Sequence, residues 1–463
     1  METILTNVVN FVNDILWNKW LLLLFLLLGS GIYFTFRTRF VQVRKFGSGL
    51  RMVFGSINLR GKAAGKDGMS SFQALATAIA AQVGTGNIAG CASALVAGGP
   101  GAVFWMWVSA FFGMATIYGE AVLSQKYRHV APDGTVSGGP IYYIRAAFRG
   151  KLGTFLSGFF AVAIILALGF MGNMVQSNSI GEAFFTAFGI PKLLTGLVVA
   201  GLSAFIFLGG VKRIAAITEK LVPIMACFYI VGALAAIAMN WRSILPAFQA
   251  IFLGAFQPQA VMGGVIGVSI KEAVRFGVAR GLFSNEAGMG STPHAHAMAK
   301  VAKPQDQGAV AIVGVFIDTF VVLTITALVI LTSGMLGTTG ADGALLDATA
   351  LAQAAFNHAF GSFGNAFVAI CLLFFAFSTI IGWYFFGETN VKALFHGSKL
   401  ATRLYSLIAL MCIVLGSFQK VTLVWNMSDM FNGLMVIPNL LAVLALSGVV
   451  KKFATDEHYL GRD

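Results

Sequence analysis

Charge is the scarcest ingredient of this 463-residue chain: Asp, Glu, Lys and Arg make up 11% of it, against about 25% in a soluble globular domain. That scarcity excludes a water-solvated surface of ordinary extent. Acid is rarer than base, 18 residues against 31, for a formal net charge of +13. The four cysteines, Cys91, Cys227, Cys371 and Cys412, stand in apolar stretches with neither paired metal-ligand spacing nor a secreted-framework pattern, so they read as small packing residues. The N-terminus lacks the basic leader of a signal peptide: METILTNVVNFVNDILWNKW carries Glu2 and Asp14 and no cationic side chain before Lys19. Its apolar spacing suggests a short interfacial helix. There is no long polar linker, low-complexity tract or separate soluble region, and a single membrane domain over 1–463 is expected.

What the chain has is apolar length. Hydrophobic residues make up 57% and the mean hydropathy is +0.82. They come in runs near the ~20 residues that cross a bilayer as a helix, such as LLLLFLLLGSGIYFTF (Leu21–Phe36). A β-barrel would show short alternating segments instead. The expected fold class is an all-α polytopic membrane protein of roughly eleven spans, near 17–36, 69–97, 101–125, 152–182, 193–209, 217–239, 266–303, 308–333, 365–390, 401–418 and 421–448. Ile244–Ile266 reads as a re-entrant or external helix, with a further span as the alternative.

The cations alternate between loops. Arg37, Arg39, Arg44, Lys45, Arg51, Arg60, Lys62 and Lys66 fill 37–68, and Lys126, Arg128, Arg145, Arg149 and Lys151 fill 126–151. Lys212, Arg213, Lys220, Lys300, Lys303, Lys392, Lys399, Arg403, Lys451 and Lys452 continue the series, while the opposite loops hold only Lys19, Lys192, Arg242 and Lys420. Cytoplasmic loops are enriched in Lys and Arg. The expected orientation in a plasma membrane is therefore N-terminus outside and C-terminus, 449–463, in the cytoplasm. The positive charge belongs to a membrane surface rather than to nucleic acid.

The stretch AAQVGTGNIAG (80–90) resembles a dinucleotide fingerprint, but that fingerprint needs a preceding strand and an acidic residue about 20 positions on. Here SFQALATAIAA precedes it and WMWVSAFF lies about 20 residues on. Small-residue helix packing suits Gly90, Ala94 and Gly98, yet leaves Gly84, Thr85, Gly86 and Asn87 unexplained. A broken membrane helix explains them: its freed N–H groups can receive a ligand carboxylate and its freed carbonyls a cation. A matching break is expected in the second half. Phe283–Ser291 (FSNEAGMGS) is favoured, with Phe256–Gly264 (FQPQAVMGG) as the rival.

Several long motifs, ALATAIAAQVGTGNIAG, GGPGAVFWMW, GMATIYGEAVLSQKYR, ARGLFSNEAGMGS and FSTIIGWYFFGE, occur in the order of the alanine or glycine:cation symporter family, which the chain closely resembles over about residues 15 to 450. The resemblance implies a LeuT-type fold of the amino acid-polyamine-organocation superfamily. That fold has one extra helix (17–36), then two inverted five-helix repeats (69–239 and 244–448). It also implies Na⁺-coupled uptake of alanine and glycine, a small amino-acid substrate, Na⁺ as coupling ion and no obligatory protein partner. By that likeness the amides of Gly84, Thr85 and Gly86 bind the substrate carboxylate, with Asn87 beside the ion or the carboxylate. Gln176, Phe283, Ser284, Gly288 and Thr379 complete the substrate site, and Trp383 walls a pocket suited to a small side chain. Ala80, Val83, Phe375, Ser378 and Thr379 would hold Na⁺. Glu286 has no acidic counterpart in the LeuT-type pattern.

Asp429, two turns into the last span, is expected to pair with Arg280 as an external gate. Glu120 and Asp318 read as structural carboxylates or, alternatively, proton-relay groups, and Glu388 as interfacial. His294 and His296 do not share a helix face and are not expected to bind metal. No nucleophile elbow or HExxH motif points to an enzyme, and two unlike breaks argue against a channel's repeated filter. The alternatives within transporters are H⁺ coupling or another small substrate such as serine.

Overall fold

Apolar helices account for nearly all of the computed structural model, which describes residues 2–55, 69–130, 136–258, 269–340, 343–419 and 421–459. Arg60, Lys62 and Lys66 of the basic loop, and most of the rival break 256–264, lie outside the described residues. The chain starts with α1 (Glu2–Asn13) and one wide turn, Asp14–Asn18. At Leu21 the backbone takes a positive φ of 53° before α2 (Leu22–Arg37), and the stretch Leu5–Arg37, which contains the expected span 17–36, is long and apolar enough to cross a membrane.

The first run of five spans opens with an interrupted one, α3 (Ser71–Gln82) and α4 (Gly86–Gly98), bent by 48° at the gap. A capping box on Ser70 and Gln73 starts α3, satisfying two of the N–H groups that a helix start leaves free. Next come α5 (Gly101–Lys126), α6 (Gly150–Phe188), α7 (Lys192–Phe207) and α8 (Gly210–Met239). Then α9 (Ile244–Phe256) packs on α5, and the residues that would decide how Ile244–Ile266 ends are not described.

The second run repeats the plan. It opens with α10 (Ile270–Asn285) and α11 (Pro293–Met298), separated by seven residues that include positive φ at Glu286, Gly288 and Gly290. The interruption therefore falls at the favoured 283–291 segment. There follow α12 (Pro304–Ser333), the shorter α13 (Ala348–Phe360), α14 (Phe363–Leu394), α15 (Lys399–Phe418), α16 (Val421–Ala445) and the tail helix α17 (Ser447–Thr455). Among the described residues eight helices are long and apolar enough to cross a membrane, or nine with the bent α3–α4 pair as one span. The shorter apolar α7 and the interrupted α10–α11 are not among these, so the count stands at eight or nine against the roughly eleven expected.

Packing places the two interruptions face to face. α3 lies against α8 and α14, α10 lies against α4 and α5, and α6 packs along α14. Large side chains on the outer faces, such as Phe155, Phe205, Val231 and Leu407, are exposed, as lipid-facing positions are; inside, Trp383, Phe375 and Tyr229 are buried. Cys91 and Cys371 are buried, Cys412 is half-buried and Cys227 faces outward.

Candidate functional site

The first break is a designed gap in the hydrogen-bond ladder. Val83 (φ −83°, ψ 89°) leaves the helical region while its N–H still reaches Ile79 O at 2.7 Å. The Gly84 N–H donates to Asn87 Oδ1 and the Thr85 N–H to Gln176 Oε1, each at 2.9 Å. Two of the amides expected to meet a ligand carboxylate are thus met here by side-chain carbonyls. Beside them, Thr85 Oγ1 and Gln176 Nε2 are buried with no partner. Native structures rarely leave such groups unmatched, so a hydroxyl and an amide donor stand ready for a polar ligand. A Cβ on Gly84 would lie 2.3 Å from Thr379 Oγ1, so a side chain there forces Thr379 to shift; one on Gly86 would lie 3.1 Å from Phe283 Cδ1, a tight contact.

Four of the five residues expected to hold an ion converge behind that gap. Thr379 Oγ1 is 2.9 Å from Ala80 O and 3.1 Å from Phe375 O; Ser378 Oγ is 3.2 Å and 2.8 Å from the same two carbonyls. The donor set is two carbonyls and two hydroxyls, all uncharged oxygens. Hydroxyl protons that now point at the carbonyls can rotate away and present lone pairs, which suits a hard cation. No hydroxyl bond reaches the Val83 carbonyl, although Val83 is buried at the end of α3.

Across the gap stands α10. Ser284 Oγ and Asn87 Nδ2 both donate to Asp318 Oδ1, at 2.9 and 2.7 Å, and Thr319 Oγ1 donates to Oδ2 at 2.9 Å. Asp318 is fully buried and links the two interrupted spans to each other. Sequence reasoning singled it out as an acid inside an apolar span but did not place it at this site. The ring of Phe283 meets Trp383 edge to face at 5.7 Å and Trp425 at 5.0 Å, forming an apolar wall over the break.

Gly288 is placed elsewhere. It was expected with the substrate residues, but its N–H donates to Glu120 Oε2 at 3.0 Å while the Gly290 N–H donates to Oε1 at 3.0 Å. Asn439 Nδ2 also donates to Glu120 Oε1, at 2.5 Å, and to Gly288 O at 2.9 Å, and Tyr143 Oη donates to Asn439 Oδ1 at 2.5 Å. The amides freed by the second break are thus met by a carboxylate of α5, a partner that nothing in the local sequence reveals. Glu286, with φ 57°, accepts from Ser291 Oγ and, at 2.5 Å, from Trp383 Nε1. Glu388 is buried within the protein, with the partly exposed Lys392 Nζ at 3.1 Å.

Arg280 and Asp429 form a two-pronged ion pair, with both N···O distances 2.9 Å. Arg280 also lies 4.7 Å from the centre of the Trp425 ring, which in turn touches Phe283. The N-terminal segment covers this pair: Asn13 Nδ2 donates to Asn426 O and Trp17 Nε1 to Asp429 O. His294 bonds Ser291 O and Asn390, and His296 bonds Gln307. Among the described residues no three His, Cys, Asp or Glu side chains are grouped as metal ligands.

A helical bundle whose two halves each open with an interrupted span, the breaks facing each other across buried polar groups, has the plan on which secondary transporters are built. Its architecture is LeuT-type: the structure of MhsT in complex with L-phenylalanine matches with a TM-score of 0.58 at 14% identity, over 84% of this chain and 98% of that one. The model of the sodium:alanine symporter family matches residues 1–460, and the chain belongs to that family. It is 44% identical to the sodium/alanine symporter AgcS of Methanococcus maripaludis over 96% of this chain and 95% of the relative. It is 39% identical to the amino-acid carrier protein AlsT of Bacillus subtilis over 98% and 93%.

Proposed function

We propose that this protein takes up alanine or glycine together with Na⁺ by alternating access. The observation that carries the substrate reading is the first break, where Thr85 Oγ1 and Gln176 Nε2 are buried without partners beside the Gly84 and Thr85 amides. A substrate carboxylate exchanges with the side-chain oxygens of Gln176 and Asn87 at those amides and accepts from the two idle donors. Ser284 lies alongside. Na⁺ sits among Ala80, Phe375, Ser378 and Thr379, with the Val83 carbonyl turning in. Because Thr379 touches Gly84, ion and amino acid share one wall, which gives the energetic linkage that coupling requires.

Size selection comes from Phe283 and Trp383, which leave little room beyond the α-carbon. Arg280 and Asp429 close the outer side; parting them admits solvent, and the bundle then rocks about the site. The basic loops are consistent with a cytoplasmic C-terminus in a bacterial or archaeal inner membrane.

The test is uptake of labelled alanine into proteoliposomes under an inward Na⁺ gradient, with a matched K⁺ gradient and a Gly86→Leu variant. Saturable, Na⁺-dependent uptake that glycine competes with and the variant abolishes supports the reading. No uptake under any gradient refutes it.

A second reading, H⁺ coupling, has one observation in its favour: the Asp318 carboxylate lies between the two interrupted spans, bonded to Asn87 and Ser284. Uptake driven by a proton gradient without Na⁺, and lost in Asp318→Asn, would favour it over Na⁺.

A further inference from the structure

The second break holds a buried carboxylate, Glu286, that lies outside the substrate and ion sites. Glu286 adopts φ 57°, the left-handed region that a non-glycine residue rarely enters outside constrained sites. Both of its oxygens are engaged, one by the Ser291 hydroxyl and the other by the Trp383 indole N–H at 2.5 Å. Trp383 stands one turn beyond Thr379 on α14 and is 1% exposed. Its ring is held on its other sides too. A Cβ on Gly172 would lie 2.4 Å from Cζ3, so α6 approaches with bare backbone, and Phe283 meets the ring edge to face at 88°. The indole N–H is donor only and needs a partner when buried. A carboxylate gives a stronger bond than a neutral acceptor.

We propose that Glu286 is a specificity-determining positioning residue: it locks the Trp383 indole in the orientation that shortens the side-chain pocket. The inference rests on the amino-acid symport reading above. Glu286 does not touch the amino acid. Loss of its oxygen leaves the indole held by packing alone and opens space in the second break, so that the ring gives way to a longer side chain.

The test is competition against labelled alanine uptake in proteoliposomes, with unlabelled glycine, valine and glutamine as probes. In the wild type glycine competes well, and valine and glutamine poorly. Glu286→Ala should lower the valine and glutamine concentrations for half-inhibition about tenfold relative to glycine, equivalent to ~1.4 kcal/mol of lost discrimination. Glu286→Gln keeps an acceptor oxygen of the same reach and should keep the wild-type ranking. A general folding defect lowers all uptake together and leaves the ranking unmoved, so the ratio reads positioning alone. If Glu286→Ala yields no folded protein, Glu286→Asp takes its place: it retracts the oxygens by one methylene and must shift the ranking the same way. An unchanged ranking in the Ala or Asp variant overturns the proposal. So does a Gln variant that shifts as far as the Ala variant, because charge rather than indole anchoring would then be at work. A wild type that transports no amino acid would defeat the symport reading instead, and the two failures are distinct.

Discussion

Adding one methyl group at Gly84 should weaken Na⁺ more than it weakens the fold. A Cβ there would stand 2.3 Å from Thr379 Oγ1 and 3.1 Å from Gln176 Oε1, and Thr379 must move. Its hydroxyl would then leave Ala80 O and Phe375 O, which it now meets at 2.9 and 3.1 Å. Overpacking of this kind costs about 1–3 kcal/mol. If that cost falls on the ion-bound state, at about 1.4 kcal/mol per factor of ten, the Na⁺ concentration for half-maximal uptake rises roughly five- to hundredfold. The assay is alanine uptake in proteoliposomes as a function of Na⁺ at clamped membrane potential, for the wild type, Gly84→Ala and Gly90→Ala. The last is the control, since its added Cβ would meet nothing nearer than the Thr85 carbonyl at 3.9 Å. A half-saturating Na⁺ concentration for Gly84→Ala within twofold of the wild type would refute the placement of the ion beside this break.

Charge reversal tests the outer pair: Arg280→Glu or Asp429→Arg alone sets like charges about 3 Å apart, worth several kcal/mol near a protein surface, and should cut uptake more than tenfold. The double reversal should restore part of it, less than all because Arg280 also lies over Trp425; no restoration at all would count against a gate. Glu120→Leu leaves the Gly288 and Gly290 N–H groups without their acceptor, at about 1–3 kcal/mol each, so the unfolding midpoint of the purified protein should fall by several degrees; an unchanged midpoint contradicts the bracing role. The Lys45 ammonium beside Glu457 holds that exposed carboxyl below its usual range. Because the folded value is depressed, the contact is complete above the unfolded pKa near ~4.3 and is lost as pH falls through the lower folded value, so protection of the 456–459 amides, corrected for the intrinsic pH dependence of exchange, should fall only in acid.

The two interruptions were legible because a membrane helix has no other use for four consecutive residues such as Gly84–Asn87, or for polar groups mixed with two glycines as in Phe283–Ser291. Ser378 and Thr379 could be matched to carbonyls one helix away because LeuT-type helices cross in a known order. The internal partners of the acids were not legible. Glu120 meets Gly288 across 168 positions of chain, and Asn87 meets Asp318 across 231. Each acid looked in sequence like an isolated charge in apolar surroundings, and its meaning depends wholly on which break the packing brings to it. Gly288 was misplaced for the same reason: a glycine at a break faces whichever neighbour offers an acceptor, and α5 offers one first.

The Glu120 carboxylate is, in effect, a ligand tied to its own receptor. Both breaks are thus met by the chain, but by different chemistry: a carboxylate takes the amides of the second, while neutral side-chain oxygens of Asn87 and Gln176 take those of the first, beside two donors left without partners.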